Sequence, residues 1–195
     1  MTEKEFWTPQ QVYNYLVNQK LKNLPMILPD NIYCTENFSW NEVIRTKARK
    51  ILLPSIEILN NLKYITEVLQ VYRTKIGKEI QITSSWRTPE EQQNLITLYN
   101  KNYNAWLQNG KKGNPPNKPS STSLHIEGLA LDFQVKNSSQ QAIQNLIDKS
   151  LVGEVEPGVD YTHLGLPTFS EKYLKRHGIF RDDIYKKLNI DTSKL

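Results

Sequence analysis

The ten residues from Ser123 to Asp132 constrain the local fold more than any other stretch of this 195-residue chain. Gly128 permits a sharp turn, and the residues after it alternate between apolar side chains and the two small or polar residues Ala130 and Asp132. The apolar members of this alternation are Leu129, Leu131 and Phe133. The pattern predicts a β-strand that begins directly after a turn. His125 in the turn and Asp132 in the strand can then approach a common point.

A second histidine extends this pattern into a possible metal site. His163 follows later in the chain, with Asp160 three residues before it, and the chain has 3 histidines in all. Two histidines and a carboxylate are a usual ligand set for catalytic zinc, whose fourth position is left to water. Non-haem iron uses the same ligand types. Iron sites usually place the first histidine and the carboxylate closer in sequence than His125 and Asp132, so we expect zinc.

The pattern S-x-H-x-x-G-x-A-x-D, followed by carboxylate-x-x-H at residues 160–163, resembles the zinc peptidases that cut peptidoglycan stem peptides. That family includes D-alanyl-D-alanine carboxypeptidases, vancomycin-resistance dipeptidases and the L-alanyl-D-glutamate endopeptidases of phage lysins. Two upstream segments, 82–89 and 37–42, resemble the family's strand-then-arginine segment and the stretch that opens its domain. The resemblance covers roughly residues 37–167. It implies a zinc peptidase domain there, flanked by an N-terminal helical extension over 1–36 and a C-terminal one over 168–195, packed on the same domain.

The resemblance assigns roles to the residues that match the motifs. It implies that His125, Asp132 and His163 hold zinc, and that Asp160 is the general base that takes a proton from the attacking water. Two neighbouring carboxylates are alternatives for the base: Glu154 and Glu156. The alternative for Asp160 itself is that it is only a turn residue in the predicted hairpin.

Arg87 and Ser123 are the substrate-facing residues that the resemblance implies. An arginine after the strand binds substrate or stabilises the developing oxyanion; the alternative is a surface ion pair of Arg87 with Glu90 or Glu91. Ser123 would hydrogen-bond the substrate or orient His125, or serve only as a turn residue. The chain departs from many relatives at Gly165, where they carry an acidic residue.

Composition restricts the partners. The chain carries a net charge of +5 and has a pI near 9.1, which favours polyanions such as bacterial wall polymers, although a generic solubilising charge explains it equally well. The basic residues are dispersed and no nucleic-acid motif occurs, so we expect no specific nucleic-acid partner. No run approaches the roughly 20 apolar residues of a membrane span. Cys34 is the single cysteine and excludes an intramolecular disulfide.

Capping boxes begin at four residues: Thr8, Ser39, Thr88 and Ser138. They predict helices that end near residue 18 for the first, 108 for the third and 149 for the fourth. The longest apolar helical pattern runs from Pro54 to Gly77. Strands are predicted over 79–85, 151–156 and 161–166, the last two as a hairpin, with loops over 23–36 and 109–123 and short helices near 170–176 and 180–188. The 109–123 loop either rims a substrate cleft or is a plain linker.

This order of elements predicts an α+β fold, and the resemblance implies the same: a small antiparallel sheet with helices packed on it, as in hedgehog and D,D-peptidase domains. We expect a monomeric hydrolase, a zinc metallopeptidase acting on stem peptides. The alternative is a non-catalytic metal-binding member of that fold that binds the cell wall or a protein. Residues 1–30 lack a continuous apolar core, so we expect no secretory signal and synthesis in the cytoplasm. Two roles are compatible with this expectation. The protein would degrade the cell wall as a phage-type endolysin that is released by another route, or it would act in intracellular recycling. The sequence does not distinguish which stem-peptide bond is cut, D-Ala-D-Ala or L-Ala-D-Glu.

Overall fold

The computed structural model describes residues 3–45, 52–120, 123–146, 161–165 and 186. The helices in this part of the chain are α1 (Pro9–Leu21), α2 (Trp40–Val43), α3 (Ile56–Ile76), α4 (Pro89–Gln108) and α5 (Gln140–Leu146). The strands are β1 (Glu5–Phe6), β2 (Ile32–Thr35), β3 (Phe38–Ser39), β4 (Ile80–Ser84), β5 (Ala130–Val135) and β6 (Thr162–Gly165). The fold is α+β, as predicted.

Three of the four predicted capping boxes form. At Thr8, Ser39 and Thr88 the cap side chain accepts a hydrogen bond from the backbone N–H three residues later, and the Gln or Glu there bonds back to the cap. These reciprocal bonds satisfy backbone donors that a helix start leaves open. The first helix continues to Leu21, past the predicted end near residue 18.

The fourth cap is displaced by one residue. Ser139, not Ser138, accepts from the backbone N–H of Ala142, at 3.3 Å. The Ser138 hydroxyl instead accepts from Nζ of Lys78, at 2.8 Å. Because adjacent serines offer the same hydroxyl, the sequence could not distinguish the cap from its neighbour.

Helix α3 is the centre of the core, as its apolar pattern predicted. It contacts α1, β2 and β5, and therefore packs against both sheets. Its buried apolar residues are Leu59, Leu62, Tyr64, Ile65, Val68, Leu69 and Tyr72. Gly77 ends the helix in the left-handed conformation, at φ 66°. Val12 and Leu16 of α1 belong to the same core. The predicted boundaries between the peptidase domain and its N- and C-terminal extensions, at residues 36 and 168, remain proposals.

The predicted loop over 23–36 is wrong at its end, where β2 lies. β2 pairs in parallel with β1 and antiparallel with β3 to form a three-stranded sheet. Ile32 and Cys34 of β2 are buried in the core. The strand has four residues, β3 has two, and the other partner lies 27 residues before β2, where Glu5 is opposite Ile32. Segments this short give little local periodicity.

The second sheet contains the strand that was predicted to begin after the turn at Gly128. β5 lies between β4 and β6, and both pairings are antiparallel. The predicted strands over 79–85 and 161–166 therefore correspond to β4 and β6. The hairpin partner over 151–156 and the two short C-terminal helices fall outside the described residues, apart from Lys186.

No helix in the described segments combines the length and apolar character that a membrane crossing requires.

Gly128 fixes the turn before β5 and gives a direct test of this packing. Its φ is +70°, and an added Cβ would lie 3.0 Å from the carbonyl oxygen of Ile58 and 3.1 Å from Cγ of Leu62. Gly110 has a similar φ of +69° but nothing within 4 Å of an added Cβ. Gly110→Ala should cost about 1–2 kcal/mol from backbone strain alone, and Gly128→Ala about 1–3 kcal/mol more from overpacking. Denaturant unfolding measures both, and equal losses would contradict the close approach to α3.

Candidate metal centre and cleft

The register of the second sheet brings two predicted ligands together. Asp132 on β5 lies directly opposite His163 on β6. Directly opposed residues on antiparallel strands place their side chains on the same face of the sheet, about 4.5–5.5 Å apart at Cβ. Here Nδ1 of His163 lies 2.8 Å from Oδ1 of Asp132.

His125 reaches the same carboxylate from the turn before β5. The turn closes with a hydrogen bond from the N–H of Leu129 to the carbonyl oxygen of Leu124, at 2.9 Å. Helix α3 supports it, since the Asn61 side-chain amide donates to the carbonyl oxygen of Glu127 at 2.9 Å. His125 is thereby held with its Nε2 atom 3.5 Å from Oδ1 of Asp132.

The backbone at the end of β4 fixes the tautomer of His125. Nδ1 of His125 hydrogen-bonds the carbonyl oxygen of Ser85. A carbonyl only accepts, so Nδ1 carries the proton and Nε2 keeps its lone pair for a metal. Two residues after Ser85, the backbone N–H of Arg87 donates to the carbonyl oxygen of His125 at 3.0 Å, which adds a second link between the two segments.

The three side chains fit a zinc ion. One ligand atom from each of His125, Asp132 and His163 lies within 4.8 Å of the others. Tetrahedral ligands held about 2.0–2.1 Å from zinc stand roughly 3.3 Å from one another, and the separations of 2.8 and 3.5 Å from the shared Asp132 oxygen lie on either side of that value. His125 and Asp132 are buried and His163 is half-buried, which leaves one side for water or substrate.

The charge of Asp132 also suits a ligand. Burial alone would raise its pKa, but the neighbouring rings of His125 and His163 outweigh burial, so the pKa lies well below its usual range. The carboxylate is therefore ionised at neutral pH, as metal binding requires.

The cluster lines a cleft of about 480 Å³. The other residues that line it come from α4, from the loop after α4 and from single positions nearby. Arg87, Ser123 and Tyr161 are among them. Loop residues Pro116 to Ser120 line it as well, so the 109–123 loop borders the cleft, the first of the two alternatives.

Arg87 faces this cleft and is positioned by a residue that the sequence analysis missed. Its Nη1 donates to Oε1 of Gln92, at 2.7 Å. The Gln92 side-chain NH₂ in turn donates to the carbonyl oxygen of Ser120, at 2.6 Å. Gln92 is the buried residue of α4. It lies in a run of five polar residues, Glu90 to Asn94, in which no periodicity distinguishes the inward position.

Two other predicted site residues have different outcomes. Ser123 is half-buried and lines the cleft, which leaves its role a proposal. Asp160, together with Glu154 and Glu156, falls outside the described residues. Cys34 is buried on β2, where burial raises its pKa to about 12 despite the nearby Lys63 ammonium, so it is not a nucleophile.

No protein-family profile matches the chain, and no curated protein sequence is detectably similar to it. Among solved structures, VanYB in complex with D-alanine-D-alanine aligns with a TM-score of 0.37 and 16% identity, over 68% of this chain and 82% of that chain. A mutant of the vancomycin-resistance D,D-pentapeptidase VanY from a VanB-type cassette, in complex with Zn(II), gives 0.35 and 14%, over 64% and 80%. At these TM-scores the neighbours carry no argument about the site of this chain.

Gly165 explains why the His163 ring can turn its Nδ1 atom towards Asp132. A Cβ atom at Gly165 would lie 2.9 Å from Nε2 of His163 and 3.1 Å from Cδ1 of Leu124. The backbone of Gly165 is not left-handed, so the requirement for glycine is steric. The His163 ring occupies the space that any larger residue would fill.

Gly165→Ala should therefore weaken metal binding while the fold persists. The added methyl group must displace the His163 ring, and changes of this kind around a ligand typically cost about 10- to 100-fold in metal affinity. Competition between the protein and a chromophoric chelator for Zn²⁺ measures the affinity, with Gly110→Ala as the control at an open position. Unchanged affinity in Gly165→Ala, with an unchanged melting temperature, would show that the ring does not need this space.

Proposed function

We propose that this chain is a zinc-dependent peptidase that hydrolyses an amide bond in the stem peptide of peptidoglycan. The observation that carries the proposal is the convergence of His125, Asp132 and His163 in a cleft that Arg87 also lines. The motif resemblance supports the choice of substrate, since the three residues are those that match the family's ligand positions.

The chemistry divides between the metal and the chain. Zinc in such a site lowers the pKa of a bound water towards about 7 and polarises a carbonyl group. His125 and His163 would hold the ion through neutral imidazole, and the ionised Asp132 would supply the negative charge. The Ser85 carbonyl holds His125 in the tautomer that this needs.

Asp160 is the proposed general base. It precedes Tyr161, which lines the cleft, and it stands three residues before His163, where the resembled family carries its acidic base. In this role its carboxylate accepts a proton from the attacking water and later delivers one to the leaving amine. A non-catalytic metal-binding protein would have no need of this carboxylate, so the residue distinguishes the two functions.

Arg87 is the proposed electrostatic clamp. Its guanidinium group is half-buried, lines the cleft and is held by Gln92. A cation held in place before the reaction stabilises negative charge that develops on the scissile carbonyl oxygen, and one such donor is worth about 10²–10³ in rate. It can equally bind a carboxylate of the substrate, and the two roles affect kcat and KM differently.

The decisive experiment is digestion of purified muropeptides followed by mass spectrometry. The wild-type protein with one equivalent of Zn²⁺ should release products whose masses identify the bond, D-Ala-D-Ala or L-Ala-D-Glu, and a chelator should abolish release. Asp160→Asn should keep zinc and lose about 10²–10⁴ of the turnover. Digestion of intact walls would support an endolysin role in cell wall degradation. Zinc-loaded protein that releases nothing would favour the non-catalytic alternative.

Substitution of Arg87 separates catalysis from a surface ion pair. Arg87→Ala should retain zinc and the melting temperature but lower kcat/KM, and Arg87→Lys should recover only part of the loss because lysine lacks the planar fork of donors. An ion pair with Glu90 or Glu91 predicts instead at most about 1 kcal/mol of lost stability and full activity. Unchanged kcat/KM in Arg87→Ala would remove the residue from the site.

A further inference from the structure

The cleft has a wall, made by α4 and the loop that follows it, that the proposed mechanism does not use. Leu95, Leu98 and Tyr99 line the cleft from the helix, and residues 116–120 line it from the loop. The wall and the metal cluster line the same cleft, so groups of a substrate beyond the reacting bond can meet the wall.

The loop is anchored to α4 at two points. Near its start, the Trp106 indole N–H donates to the carbonyl oxygen of Gly113 at 3.1 Å. Near its end, Gln92 donates to the carbonyl oxygen of Ser120 at 2.6 Å. Three of the six residues between the anchors are prolines: Pro115, Pro116 and Pro119. Fixed φ angles and two anchors restrict the loop, which lowers the entropy cost of presenting a side chain to a ligand.

The wall is cationic. From residue 92 to residue 126 the chain contains four lysines and no Asp or Glu. Among the lysines of this segment, Lys118 alone lines the cleft, where it joins Arg87. The carboxylate that the described part of the chain contributes to the cleft is Asp132, and its charge is taken up at the metal cluster. Among the described residues, the wall therefore offers positive charge and no acidic side chain of its own.

We propose that Lys118 binds a carboxylate of the substrate at a second anionic subsite, distinct from the position of Arg87. The identity of the substrate rests on the proposed function. A stem peptide suits the subsite because it carries two carboxylates, one on the γ-linked D-glutamate and one at its C-terminus. Lys118 is a specificity-determining residue in this arrangement, and it recognises charge rather than shape because its ammonium group is a flexible point donor.

The test measures, by calorimetric titration, the binding of three acetylated pentapeptides of sequence L-Ala-γ-D-Glu-L-Lys-D-Ala-D-Ala. One has both carboxylates free, one has the D-glutamate carboxylate converted to an amide, and one has the C-terminal carboxylate converted. The wild-type protein should bind the free acid about 3- to 10-fold more tightly than one of the amides, and high salt should reduce the difference. Lys118→Met should remove that difference, whereas Lys112→Met, a lysine of the same loop that does not line the cleft, should keep it.

The outcomes separate this inference from the proposed function. Discrimination that persists in Lys118→Met, equal binding of all three peptides by the wild type, or no binding at all would overturn it. A lower melting temperature in Lys118→Met with discrimination intact would assign the lysine to the fold instead. Hydrolysis is scored independently, because a protein that cuts none of the peptides still reports on Lys118 through the binding ratio.

Discussion

The antiparallel register between β5 and β6 is the constraint on which the candidate site depends. It places Asp132 opposite His163, and a slip of one residue would turn one of the two side chains to the other face of the sheet. The same register sets Ala130 opposite Gly165, two small residues beside the two ligands. Room for the His163 ring is therefore a property of the strand pairing as much as of a single glycine.

The end of β4 is the second element that holds the site. Ser85 contributes its carbonyl oxygen to His125 and its hydroxyl to the carbonyl oxygen of Val43, at 2.6 Å. Two residues later, Arg87 contributes its backbone to His125 and its side chain to the cleft. A short stretch of backbone thus links the orientation of a metal ligand to the position of the proposed clamp and to the end of α2. Sites held by backbone atoms of a sheet are more precisely placed than sites on free loops.

Local signals in the sequence predicted much of this molecule. The capping boxes at Thr8, Ser39 and Thr88, the long α3 and the strand after Gly128 all have causes within a few residues, and the structure confirms each. The convergence of the three candidate ligands was predicted from motif order, and the structure brings their side chains together.

What the sequence did not predict depends on distant partners. Strand β2 is the central strand of its sheet because β1 pairs with it across residues 7–31 as β3 does from the other side, and nothing in residues 32–35 alone indicates the pairing with β1. Gln92 resembles any helix-surface glutamine until Arg87 and Ser120 are placed around it. The steric requirement for Gly165 is equally invisible in sequence, because the atom that excludes a side chain belongs to the ring of a residue on its own strand.

The double engagement of Gln92 has a thermodynamic consequence. Its amide oxygen accepts from Arg87 and its amide nitrogen donates to the loop at Ser120, so one side chain connects the proposed clamp to the loop that borders the cleft. A ligand that draws Arg87 away from Gln92 changes the free energy with which the loop is held, and by reciprocity a ligand that contacts the loop changes the affinity at Arg87. If Arg87 and the loop both contact a substrate, Gln92 couples the two contacts, and a substrate long enough to make both is then distinguished from two short ones by cooperativity.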